Sequence, residues 1–154
     1  MNRITSLLTI VPFLALALWL STRSRVFFGA FLIGHALVHV MYFVPQPPAD
    51  QSGLEWPFRL DSSWALSGIG LSSQTIRVIG AALAILAVGG FLATGIGLLL
   101  DVGWWTGVAV VAAITSLLLM ATYTQPLILL GLVIDLFVLS MVWLRWLPTS
   151  IVLG

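Results

Sequence analysis

The sequence predicts an all-α integral membrane protein, a bundle of five transmembrane helices, on three observations. Of 154 residues, 60% are hydrophobic and only 7% are charged, where a soluble domain carries roughly 25% charged residues. The mean hydropathy is +1.15. The apolar residues also gather into five runs, each near the roughly 20 helical residues that cross a hydrocarbon core about 30 Å thick. Backbone polar groups find no water at that depth, so each run must be helical. An ordinary soluble enzyme and a disordered chain are excluded, because so few charges cannot clothe a water-facing surface. Six Arg, no Lys and five acids leave a net charge of +1 and no basic patch for nucleic acid. The absence of Cys removes disulfides, thiolate metal sites and Cys nucleophiles.

The first run is Ile4–Leu20, the shortest of the five, with Pro12 inside. It follows Met1-Asn2-Arg3, which could serve as the n-region of a signal peptide. No small-x-small cleavage site stands after it, in Ser21-Thr22-Arg23-Ser24-Arg25. It is therefore read as a retained helix; four spans remain if it does not cross or is removed. The second run is Val26–Val44, and its only strongly polar members are two histidines. The third, Val78–Leu100, is the longest and has no charge, the fourth is Trp104–Thr122, and the fifth, Pro126–Trp146, holds a single acid. Residues 1–154 are read as a single transmembrane domain. Short connections at 21–25, 101–103 and 123–125 make the flanking helices antiparallel neighbours. The exception is 45–77, with four prolines, Trp56 and Trp64. It is too polar to span and is read as an interfacial loop with both rings in the headgroup zone. Trp104 and Trp105, beside Asp101, read as a second interfacial anchor. With five crossings the two chain ends fall on opposite faces. Arg23, Arg25 and Arg145 then oppose Arg3, Arg59 and Arg77, three against three. The shared short loop of Arg23 and Arg25 favours an outside N-terminus.

Polar groups inside apolar runs are the informative ones. Gly34-His35-Ala36-Leu37-Val38-His39 places two imidazoles one helical turn apart on one face, and Tyr42 extends the stripe. Asp135 lies near the midpoint of the fifth run, where Asp costs about 2.5–3.5 kcal/mol, so it requires a partner. His35 is the midpoint residue of its own run and shares that depth. A hydrogen bond fixing helix register is the simplest use of the pair. Metal ligation by His35, His39 and Asp135, two imidazoles and a carboxylate, is the alternative. A haem would need a ligand from another helix, with Met120 and Met141 the soft candidates. Arg77 either snorkels or meets Asp61. Gly89, Ala93 and Gly97 form a small-residue ridge for helix packing.

The stretch Gly34–Pro45 with its GHxxxH pattern, the Trp56–Trp64 segment and the later Trp104-Trp105 pair resemble a loose group of small uncharacterised bacterial polytopic membrane proteins. The likeness spans roughly residues 26–146, and the first helix here is additional to that group's four-helix pattern. The resemblance implies a helical fold and a membrane location. It implies no activity.

The function expected from these residues is non-enzymatic: an accessory subunit of a membrane complex, or a small ligand-binding bundle, in the cell membrane. The bilayer is the one partner the composition requires, with other membrane subunits or a second copy as further candidates. Two alternatives stand beside it. One is a redox protein using His35, His39 and Asp135 for a metal, haem or quinone. The other is a small transporter or proton relay built on Asp135. No cofactor is singled out.

Overall fold

The structure is a computed structural model that describes residues 3–45, 56, 58–123 and 129–145, with side chains except at 3–9 and 129. Among the described residues six α-helices follow one another: α1 (Arg3–Ser21), α2 (Arg25–Val40), α3 (Trp64–Gly68), α4 (Ser73–Leu99), α5 (Trp105–Thr122) and α6 (Leu129–Trp143). No strand occurs among the described residues. Three helical stretches are long and apolar enough to cross a membrane: Arg25–Phe43, Ser73–Leu99 and Trp105–Thr122. The first of these is α2 continued by a 3-10 turn at Met41–Phe43. Ile10–Ser21 and Leu130–Trp143 are apolar but shorter.

Side-chain caps explain where the helices begin. Ser24 Oγ accepts from the Phe27 amide at the start of α2, and Ser72 Oγ from the Thr75 amide at the start of α4, each at 3.2 Å. The Ser72 cap starts α4 well before the apolar run at Val78, because the first turn, Ser73-Gln74-Thr75, is polar and hydropathy does not register it. Arg77 therefore stands inside α4 and not in a loop. The 45–77 connection also contains α3, which is tied to the end of α5. Ser63 Oγ accepts from the Leu66 amide at 3.2 Å and donates to the Thr122 carbonyl at 2.6 Å. Trp64 Nε1 donates to the Ala121 carbonyl at 2.8 Å.

α2 lies antiparallel to α4, which lies antiparallel to α5, and α6 returns along α5. α1 packs on α2. Backbones touch where glycines face each other. A Cβ on Gly95 would sit 2.8 Å from the Gly29 carbonyl oxygen, and one on Gly90 would sit 2.7 Å from Ala112 Cβ. The expected ridge of Gly89, Ala93 and Gly97 thus serves packing only in part. Gly89 faces open space, and Gly97 receives the two Trp side chains of the next turn. The buried positions of α4 are Ile76, Gly80, Ala84, Ala87, Phe91, Thr94, Gly95, Gly97 and Leu98, so Gly97 stays at the packed face while Gly89 does not.

One core cluster joins Phe28 and Leu32 of α2 to Phe91, Ala109, Val138 and Met141. A second, towards the opposite end, gathers Tyr42, Leu60, Ile76, Leu119, Met120 and Tyr123. At the first end Arg25 ties two turns together: Nε donates to the Leu98 carbonyl at 2.9 Å, and Nη2 donates to the Asp101 carboxylate. Asp101 adopts a left-handed backbone (φ 59°) that ends α4. At the other end the Tyr123 hydroxyl donates to the Ile76 carbonyl, and its ring lies against Gly80.

Candidate functional site

His35, His39 and Tyr42 lie one below the other on the inner face of α2 and its 3-10 extension, each at least nine-tenths buried. The spacing of four and then three residues keeps all three on one face. Asp135 of α6 has no exposure at all. Its Oδ1 is 3.0 Å from His35 Nε2, so the depth argument from the two run midpoints identifies the partner. Phe91 of α4 closes the fourth side, its ring centroid 4.7 Å from that of His35 and 5.7 Å from that of His39.

His39 is fully engaged. Its Nδ1 lies 3.1 Å from the His35 carbonyl oxygen, which can only accept, so Nδ1 carries the hydrogen. Nε2 is then left to accept from the Ser116 hydroxyl of α5, at 2.7 Å. The residues of the alternative metal set thus make other bonds. The His39 lone pair is committed to Ser116, and among the described residues no three His, Cys, Asp or Glu side chains are grouped to hold an ion. The methionines considered for haem are placed differently from one another. Met141 is buried in the core with Phe28 and Leu32, and Met120 packs its sulfur towards Gly131.

Beside the histidines lies an apolar cavity of about 260 Å³. α1 supplies Ile10 and Leu14, α2 supplies His35, Val38 and His39, α5 supplies Met120, and α6 supplies Leu130, Gly131 and Ile134. Tyr42 and Phe58 complete the wall, packed edge to face at 5.3 Å. Two of these residues hold a polar atom without a hydrogen-bond partner among the described residues, His35 Nδ1 and Tyr42 Oη, each too deeply buried to open onto the cavity; Asp135 Oδ2 is a third nearby. Buried polar groups normally find partners, and these three are the exceptions at this site.

Sequence reading missed Ser116, Phe91, Phe58 and Gly131. Ser116 was within reach of the same arithmetic that found Asp135. His39 lies four residues past the midpoint of its run and Ser116 three past that of the fourth, on helices that run the same way.

The interfacial anchors divide. Trp64 and Trp104 are 72% and 53% exposed, Trp56 is half-buried, and Trp105 is only 6% exposed. Trp105 is a core residue because Gly97 leaves room for it against α4. Asp61 pairs with Arg59, two contacts of 3.1 Å, rather than with Arg77. The Arg59 hydrogen bonds hold its carboxyl below the usual range, with Arg77 adding through charge alone. Compared with known protein families, with curated proteins and with solved structures, the chain matches none, so the geometry of this site carries the functional reading by itself.

Proposed function

We propose that this chain is a multi-pass membrane protein with five crossings, α1, α2, α4, α5 and α6, and that it acts without catalysis by binding a small apolar ligand in the cavity beside His35. The observation that carries the reading is an apolar cavity of about 260 Å³ between α1, α2, α5 and α6 that His35, His39 and Tyr42 help to line. Ligand sites combine a mostly apolar lining with a few polar groups in this way. The membrane setting is supported by an inverted distribution of polarity. Asp135, Ser116 and both histidines are inside, while Phe13, Val78, Ile85, Leu86, Val111 and Leu118 face outwards, each more than half exposed. For α1 and α6, the shorter apolar helices, crossing is supported by the full apolar runs of the sequence, Ile4–Leu20 and Pro126–Trp146.

The test is binding of a radiolabelled medium-chain alkane to the protein in nanodiscs. Saturable binding is expected, and the cavity-filling change Ile134→Phe should weaken it at least about tenfold while the helical circular dichroism is retained. Uptake by wild type and Ile134→Phe equal to that of empty nanodiscs would remove the proposal.

A further inference from the structure

Granted that the cavity beside His35 is a binding site, we infer that its occupant is one acyl chain of an anionic membrane phospholipid whose head group lies in a second, charged pocket at Arg77. The inference rests on that reading of the cavity and adds the class of molecule that fills it.

The second pocket, of about 480 Å³, stands at the end of the 3-10 extension of α2. Phe43 and Val44 at that end, Arg59 and Asp61 of the connection that follows, and Arg77 and Ala81 of α4 line it. Tyr42 and Phe58 line both this pocket and the apolar cavity. The two therefore follow one another along α2. The cavity takes the stretch from His35 to Tyr42, and the pocket takes Tyr42 to Pro45. At 1.5 Å per residue the pair extends over about 15 Å.

The order of polarity along this line matches that of a lipid. His35 is the midpoint of its apolar run, whereas Arg77 stands immediately before the uncharged run Val78–Leu100. In a bilayer the cavity is thus at the depth of the acyl chains and the pocket at the depth of the head groups. Phe43 at the pocket and Val78 next to Arg77 turn apolar surface outwards, 45% and 63% exposed. Ile10 lines the cavity and is yet 43% exposed, so the cavity has an edge that meets lipid directly.

The charge of the head group follows from the ionic groups of the pocket. Asp61 accepts from Arg59 in two contacts of 3.1 Å, so these two charges largely cancel. Arg77 is exposed and has no hydrogen bond or ion pair to a described residue. The described lining thus carries one positive charge in excess, on a planar guanidinium whose fork fits phosphate oxygens. A phosphodiester monoanion matches that excess. Size separates it from a carboxylate. A cavity of ~150 Å³ holds benzene, so about 480 Å³ leaves room for a phosphodiester with its glycerol esters. On the same scale, about 260 Å³ takes roughly ten carbons of chain.

The experiment uses the full chain in phosphatidylcholine nanodiscs with a trace of phospholipid bearing a photoactivatable diazirine in the middle of one acyl chain. The probe is either phosphatidylglycerol or phosphatidylcholine, and labelled residues are mapped by mass spectrometry. Leu130 and Ile134 should be labelled about fivefold more by the phosphatidylglycerol probe. Arg77→Gln should remove that preference, and Arg77→Lys should keep part of it. Ile134→Phe should suppress label at Leu130 from both probes. Alkane binding should be unchanged in Arg77→Gln, since the chain site is intact. Equal cavity labelling by the two probes, or a preference that survives Arg77→Gln, would overturn the anionic head group and leave the cavity standing. Label confined to outward residues such as Val78 and Ile85, while the alkane still binds, would show that no lipid chain enters. If the alkane too fails to bind the wild type above empty nanodiscs, the cavity reading falls and the inference with it.

Discussion

Removing one member of the His35–Asp135 pair strands the other in a place without water, and removing both does not. Asp135→Leu and His35→Phe should each destabilise the protein by about 1–3 kcal/mol. The double change should cost less than the sum, with a coupling of about 0.5–3 kcal/mol. Reversible unfolding in mixed micelles measures all four species, and strict additivity would show that the contact contributes nothing. Ser116→Ala makes a smaller version of the same experiment: it leaves His39 Nε2 without its donor and should cost about 1 kcal/mol. The importance of His35, His39 and Asp135 was legible from sequence because a polar group in an apolar run has few places to go. The division of labour among them was not. It depends on Ser116, a common residue type in an α5 that had to be docked before its hydroxyl could meet His39.

At the level of the helices, the close approaches are made by backbone and are therefore unforgiving. Gly95→Val drives new atoms into the Gly29 carbonyl, already 2.8 Å from a Cβ at that site, and should separate α2 from α4 with a large loss of stability. Gly89→Val meets nothing within 4 Å and should be tolerated. Equal thermal stability of the two variants would disprove the assigned helix face. Sequence alone favoured the face containing Gly89, because four-residue spacing of small residues is visible there and the pairing of Gly29 with Gly95 is not. Hydropathy found the long helices yet missed the polar first turn of α4 and the whole of α3, both of which begin at serine caps. The Arg25–Asp101 tie at the other end carries a pH signature. The hydrogen bond from Arg25 lowers the Asp101 pKa. Its stabilisation is present above the ordinary carboxylate pKa of about 3.9 and is lost as pH falls through the lowered folded value. A carbon-13 titration of the Asp101 carboxyl should have its midpoint below that ordinary value, and Arg25→Gln should return it there. An unchanged midpoint in Arg25→Gln would show that no such tie forms.

For the molecule as a whole, a chain without native Cys allows single-cysteine mapping of the five proposed crossings. Cysteines at Arg3 and Ser62 should react with impermeant reagent from one side of the membrane. Those at Thr22, Val102 and Arg145 should react from the other. Arg3 labelled together with Thr22 would mean that α1 lies along the surface, and Arg145 labelled together with Ser62 would mean the same for α6. The pairing of His35 with Asp135 across 100 residues of sequence also has a meaning in time. At roughly 5–20 residues per second of synthesis, α2 precedes its carboxylate by roughly 5–20 s. Through that interval His35 has no acid to meet, and on the proposed topology α6 brings its acid to a histidine that is already in place. On that topology the contact with His35 adds to the hydropathy of the last helix in drawing it in. A nascent chain arrested after α5 should be degraded faster than the complete one, and His35→Phe in the complete chain should leave α6 poorly inserted, as read by labelling at Arg145→Cys.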